Sequence, residues 1–74
     1  MVPTASQLKA ARELLGWSRH DVAGSCELDV AQIVSFEARL HDLRAHDLAK
    51  IRWTLEAAGV AFDRHGSGVK ISVD

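Results

Sequence analysis

The 74-residue chain has the length of one small domain, and its 47% hydrophobic and 26% charged residues are typical of a folded protein rather than a disordered one. Its single cysteine, Cys26, excludes the internal disulfide that stabilises many small secreted domains. Nine Lys and Arg against ten Asp and Glu give a formal net charge of -1, so the overall basic surplus of many DNA-binding domains is absent. Neither a signal-peptide pattern nor a membrane-spanning apolar run is found, and we expect one cytoplasmic domain over residues 1–74 without membrane association.

The first predicted helix begins after Thr4. Thr4 and Gln7 have the spacing of a capping box, in which each side chain bonds the other residue's backbone N–H. Gly16 is expected to end the helix in the left-handed conformation. Apolar residues at helical spacing predict the inward face, which comprises Leu8, Ala11, Leu14 and Leu15.

Two shorter helices follow in the sequence. Ser18 is the expected N-cap of the second helix, roughly residues 19–25, whose Val22 and Ala23 face inward. After a break at residues 26–28, Asp29 caps a third helix over residues 30–38, with Ile33 and Phe36 facing inward. Two short helices joined by a turn of three or four residues are typical of a helix-turn-helix, which we place at about residues 18–38.

The C-terminal half is predicted to combine a longer helix with a hairpin. A loop over residues 39–45 precedes a helix over residues 47–58, which Gly59 ends. Alternating apolar residues at 60–62 and 69–73 flank a Gly-Ser-Gly turn and predict a β hairpin over about residues 60–73, with Val69, Ile71 and Val73 on one face. The predicted fold is therefore mostly α, with four to five helices and a short C-terminal β hairpin.

The sequence resembles the lambda-repressor-like helix-turn-helix family, also called Cro/CI or XRE-type. The resemblance rests on QLKAAR at 7–12, LLGWS at 14–18, Val22-Ala23, Leu28, Ile33, Phe36-Glu37 and Leu48. The segment LEAAGV at 55–60, followed by Phe62, is similar to the short bacterial members that end in a small β hairpin. The resemblance implies the family fold, a role in transcription regulation, and a third helix that recognises DNA.

Several residues depart from the family's pattern. Glu27 and Arg39 stand where the family usually has glycine, and at the first of these the backbone favours a positive φ. In the candidate recognition helix, Val30, Ala31 and Gln32 stand where the family usually has polar or basic DNA-contacting residues. Residues 26–38 contain three acids and no Lys or Arg. Because Lys and Arg supply much of the affinity for DNA phosphates, this composition favours a different ligand.

We therefore predict an antiactivator-like regulator that binds another transcription regulator protein through its degenerate recognition-helix surface. That surface comprises Glu27, Asp29, Val30, Ala31, Gln32, Val34 and Ser35. Charge reversal at Glu27, Asp29 and Glu37 is then expected to weaken partner binding. The alternative is a sequence-specific DNA-binding repressor or controller of the XRE type, with duplex DNA as partner and Arg19, Arg39 and Arg44 as candidate phosphate contacts.

The remaining chemistry-bearing residues predict no enzyme, cofactor or metal site. The four histidines and Cys26 lack a paired metal-ligand spacing, and Cys26 is expected to be a buried packing residue. Trp17 is predicted to lie in or beside the core, whereas Trp53 is predicted to be partly exposed and suited to an interface. The free backbone groups of the hairpin's outer strand also allow a homodimer.

Overall fold

The computed structural model describes residues 3–62 and the backbone of residues 69–71. Four helices and two short strands follow one another in this part of the chain: α1 Ala5–Leu15, α2 Arg19–Cys26, α3 Val30–Glu37, α4 Ala45–Ala57, β1 Val60–Phe62 and β2 Val69–Ile71. The fold is mostly helical, as predicted. Within the described residues, no helix has the length and hydropathy to cross a membrane.

Local side-chain caps explain where the first three helices begin. Gln7 N donates to Thr4 Oγ1 at 3.1 Å, and Thr4 N donates to Gln7 Oε1 at 3.0 Å, which confirms the predicted capping box of α1. The same reciprocal pair joins Ser18 and Asp21 at the start of α2. At α3, Asp29 N donates to Gln32 Oε1 at 3.1 Å. Each bond gives an acceptor to a backbone N–H at the start of a helix, where the helix itself supplies none.

The core lies where α1, α2, α3 and α4 meet. Its fully buried side chains include Leu8, Val22, Ile33, Ile51 and Leu55, each 0% exposed. Phe36 is also buried, and Trp17 is half-buried against this core, so the predicted inward faces of α2 and α3 are confirmed. The inward prediction for Leu14 is wrong, because it lies at the edge of the apolar stripe and is 48% exposed.

The C-terminal strands form an antiparallel pair. Val60 is opposite Ile71, and Phe62 is opposite Val69. This pairing confirms the predicted strand pairing, while the turn at 66–68 and Val73 lie outside the described residues. Strand β1 packs on α4 and β2 packs on α1, so the pair joins the first and last helices. Helix α4 begins at Ala45, two residues earlier than predicted.

Two non-glycine residues have left-handed backbone conformations. Glu27 ends α2 with φ 58, and Arg39 follows α3 with φ 61. Leu28 N donates to Ala23 O at 2.9 Å across the first of these turns. The positive φ expected at the position of Glu27 is confirmed, and a side chain in this conformation is strained by contact of its Cβ with the backbone.

Substituting Glu27→Gly is expected to raise the free energy of unfolding by about 0.5 kcal/mol. The change relieves the Cβ strain at φ 58, and the extra freedom of glycine in the unfolded chain offsets part of the gain. Urea denaturation measures the difference. Glu13→Gly, at an exposed site inside α1, is the matched control and is expected to lower stability by about 1 kcal/mol. A loss of stability in Glu27→Gly contradicts the assignment of strain.

Candidate functional site

The outward side of α3 and of the turn before it forms a continuous exposed surface, here called the α3 surface. Five of the seven predicted partner-binding residues are exposed on it: Glu27, Asp29, Ala31, Gln32 and Val34. Ser35 is half-buried. Val30 is half-buried and packs against the core, so the expectation that it belongs to the outward face is corrected.

The chemistry of the α3 surface is acidic and apolar. Glu27 and Asp29 present carboxylates at its N-terminal end, and Val34 is 44% exposed one helical turn further on. The Oε1 atom of Gln32 accepts the backbone N–H of Asp29, so this amide helps to fix the start of the helix. A surface of this kind offers acceptors and apolar contacts but no cation.

The third acid of this region, Glu37, is part of the protein's interior. Its two carboxylate oxygens accept hydrogen bonds from Arg12 Nε at 2.9 Å and Arg12 Nη2 at 3.0 Å. Arg19 Nε donates to the same carboxylate at 3.2 Å, and the Glu37 side chain is only 3% exposed. This ion-pair cluster, comprising Arg12, Arg19 and Glu37, connects α1, α2 and α3.

The arginine at the centre of this cluster is almost enclosed. The Arg12 side chain is 12% exposed, and its Nη1 also donates to Trp17 O at 3.2 Å. The hydrogen bonds that Arg12 donates to the Glu37 carboxylate raise the pKa of Arg12, while burial opposes that rise. The expected role of Glu37 in partner binding is therefore replaced by a structural role, since its carboxylate is directed at two arginines of the same chain.

The three candidate phosphate contacts all have acceptors within the chain. Arg19 bonds Glu37, Arg39 Nη2 donates to Ser6 Oγ at 2.6 Å, and Arg44 Nε lies 3.7 Å from an Asp47 carboxylate oxygen. A DNA phosphate would compete with these groups for the guanidinium donors. Arg44 is nevertheless 86% exposed and Arg19 is 47% exposed, so both remain accessible to solvent.

Two further titratable groups have shifted pKa values that follow from local structure. The backbone N–H of Ser18 donates to the Asp21 carboxylate at 2.8 Å and lowers the pKa of Asp21. Burial raises the pKa of the Cys26 thiol, and a hydrogen bond with Thr54 partly opposes this rise. The prediction that Cys26 is a buried packing residue is confirmed, because it is 2% exposed within the core.

An open groove that the sequence patterns did not indicate lies between the start of α1 and the end of α3. Its lining includes the apolar side chains of Phe36 and Leu48 and the charged side chains of Arg39 and Asp42. No signal in the sequence places these residues together, because they come from separate helices and loops. The groove lies beside the hydrogen bond between Arg39 and Ser6.

Comparison of the sequence with protein-family models and with curated proteins finds no match. The evidence for function is therefore the described surface itself: two exposed carboxylates, exposed apolar side chains, and arginines paired with groups of the same chain. Fold alone does not determine function, so these side chains carry the greater weight.

Proposed function

We propose that this protein is a small transcription-regulating helix-turn-helix protein that acts, in an antiactivator-like way, by binding another regulator protein through the α3 surface. The observation that carries the proposal is the composition of that surface. It combines the exposed carboxylates of Glu27 and Asp29 with exposed Ala31 and Val34. The sequence from residue 26 to 38 supplies no Lys or Arg to it.

The lengths of α2 and α3 support the helix-turn-helix interpretation. Each helix has eight residues, and residues 27–29 connect them. The left-handed conformation of Glu27 turns the chain so that the two helices pack against each other. A short helix pair with such a turn is typical of helix-turn-helix proteins, and the resemblance of the sequence to the lambda-repressor-like family agrees with it.

Electrostatics favours a protein over DNA as the ligand of the α3 surface. Proteins gain much of their affinity for duplex DNA from cations that neutralise phosphates. The phosphates would instead repel the two carboxylates of the α3 surface. An exposed apolar patch beside acidic side chains is suited to a partner groove with basic residues at its rim. We therefore expect the partner to present an apolar groove flanked by Lys or Arg.

Direct, sequence-specific DNA binding as an XRE-type repressor is the second candidate function. The observation in its favour is the exposure of two arginines at helix starts: 47% of the side chain of Arg19, the first residue of α2, and 86% of the side chain of Arg44, the N-cap of α4, contact solvent. In this alternative, these side chains contact phosphates while Gln32 reaches a base edge.

Titration of a fluorescent duplex with the full chain tests the choice between these functions. At about 50 mM salt, where non-specific phosphate contacts are strongest, we expect no binding up to roughly 50 µM protein. Binding that weakens steeply as salt is added would contradict the proposal and support the DNA-binding alternative. Arg19→Ala is then expected to lower that affinity, and so is Arg44→Ala, whose side chain is 86% exposed and outside the ion-pair cluster.

Site-specific photo-crosslinking in cells tests the protein partner directly. A photoreactive residue at Val34 is expected to form a covalent adduct with a regulator protein, which mass spectrometry identifies. The matched control places the same residue at Glu13, which is exposed on α1. An adduct that forms equally from both positions, or from neither, counts against the α3 surface as the binding site.

A further inference from the structure

One face of α4 is exposed to solvent along its whole length, and this face includes the large apolar side chain of Trp53. Trp53 is 74% exposed. His46, Ala49 and Glu56 are exposed on the same side of the helix. Their spacing of three, four and three residues is that of the contact positions of a coiled coil. We call these four residues the α4 seam.

Small residues beside the two ends of the seam allow a second helix to approach closely there, while the half-buried Lys50 and Arg52 flank its centre. Ala45 and Ala57 are both exposed and flank the seam at its two ends, so no long side chain stands there between α4 and a neighbour. Ala49 at the centre leaves a space one helical turn away from the large ring of Trp53. When a second copy of α4 packs in the reverse direction, its large side chain therefore lies opposite the small side chain of the first copy.

The polar residues at the two ends of the seam follow the same reversed pattern. In an antiparallel pair of α4 helices whose two-fold axis crosses the seam at the level of residue 51, Trp53 of one copy lies opposite Ala49 of the second copy. In the same register, His46 of one copy lies opposite Glu56 of the second copy, so each end of the seam pairs a histidine with a carboxylate. The Glu56 side chain is 41% exposed and is oriented by a 3.3 Å contact with Arg52 of its own helix.

From this complementarity we propose that α4 is the interface of a homodimer, in which two copies pack their α4 seams antiparallel at a crossing angle of about 20°. The ring of Trp53 fills the space above Ala49 of the second copy, and the reciprocal contact repeats across the two-fold axis. Such a two-fold contact closes on itself and produces a dimer rather than a filament.

The proposed dimer is weak and depends on concentration. Helix α4 has 13 residues and is about 20 Å long, so a single helix pair buries less than the roughly 1,200 Å² typical of stable complexes. The two tryptophans then supply most of the interface energy. The inference does not depend on the proposed function, because the α4 seam shares no residue with the α3 surface.

Sedimentation of the full chain over a concentration series tests the dimer. The wild-type chain is expected to change from monomer to dimer as its concentration rises to roughly 500 µM, and Trp53→Glu is expected to raise the dissociation constant at least about tenfold. Leu40→Glu is the matched control, since it places the same charge on a 73% exposed apolar residue outside α4 and is expected to leave the dimer unchanged. A wild-type monomer at every concentration, or a dimer that Trp53→Glu leaves intact, overturns the proposal.

A charge exchange tests the antiparallel register. His46→Glu places two carboxylates opposite each other at each end of the seam and is expected to weaken the dimer about fivefold or more. Adding Glu56→Lys in the same chain places an ammonium opposite each new carboxylate and is expected to restore the wild-type dissociation constant. Failure of the second change to restore the dimer overturns the register, and with it the proposed interface.

Discussion

Glu37→Ala is expected to lower the free energy of unfolding by about 3 kcal/mol. The substitution removes the carboxylate that binds Arg12 through two hydrogen bonds, at 2.9 and 3.0 Å, and Arg19 through a third at 3.2 Å. Arg12 cannot turn freely into water, because its side chain is 12% exposed. The variant therefore leaves a largely enclosed positive charge without its carboxylate and with the Trp17 carbonyl as an acceptor, and urea denaturation measures the resulting loss of stability.

A matched control separates this enclosed cluster from an ordinary surface ion pair. Glu56→Ala removes the carboxylate of the Arg52–Glu56 pair, whose side chains are 36% and 41% exposed. Solvent screens such a pair, so we expect a loss of no more than about 0.5 kcal/mol. Equal losses in the two variants would mean that the Glu37 cluster is solvated in solution and does not hold α1, α2 and α3 together.

The structural role of Glu37 determines which acidic residues of the α3 region can be tested for binding. Reversing the charge of Glu37 disturbs the folded state, so a loss of partner binding in that variant has a structural explanation. Glu27 and Asp29 are exposed and are the acidic residues whose reversal reports on the surface. Asp29 also lies at the N-cap of α3, so Glu27→Lys is the cleaner variant.

The sequence predicted those parts of the fold that depend on neighbouring residues. The pairs Thr4 with Gln7 and Ser18 with Asp21 are three residues apart, and their side chains complete the first turn of the helix they begin. The positive φ of Gly16 was likewise predictable from its place after an apolar helix. These features depend on local geometry, which a few residues of sequence contain in full.

The residues that the sequence misplaced depend on packing between distant segments. Arg12 and Glu37 are 25 residues apart, and nothing in the local pattern around either predicts their contact. Val30 lies three residues before Ile33, on the inward side of α3, and is half-buried against the core. The candidate site was therefore predictable as a segment, whereas the division of its side chains between surface and interior required the packed structure.

Two adjacent residues of α3 separate the core from the α3 surface. Ile33 is 0% exposed at the centre of the core, and Val34 is 44% exposed on the α3 surface. Both are β-branched aliphatic residues of one eight-residue helix, so their truncation to alanine alters helix propensity by similar small amounts. The two variants consequently differ mainly in what the removed methyl and methylene groups contact.

Ile33→Ala is expected to lower the free energy of unfolding by about 3 kcal/mol, because it removes buried hydrocarbon and leaves a cavity between α1, α2 and α3. Val34→Ala is expected to change it by no more than about 0.5 kcal/mol, since water already contacts the side chain. Urea denaturation of both variants measures these values. The photo-crosslinked adduct of the α3 surface, with the photoreactive group placed at Ala31, is then expected to decrease in Val34→Ala although that variant remains folded. A stable Ile33→Ala would contradict the packing of α3, whereas an unchanged adduct in Val34→Ala would contradict the use of its exposed face for binding.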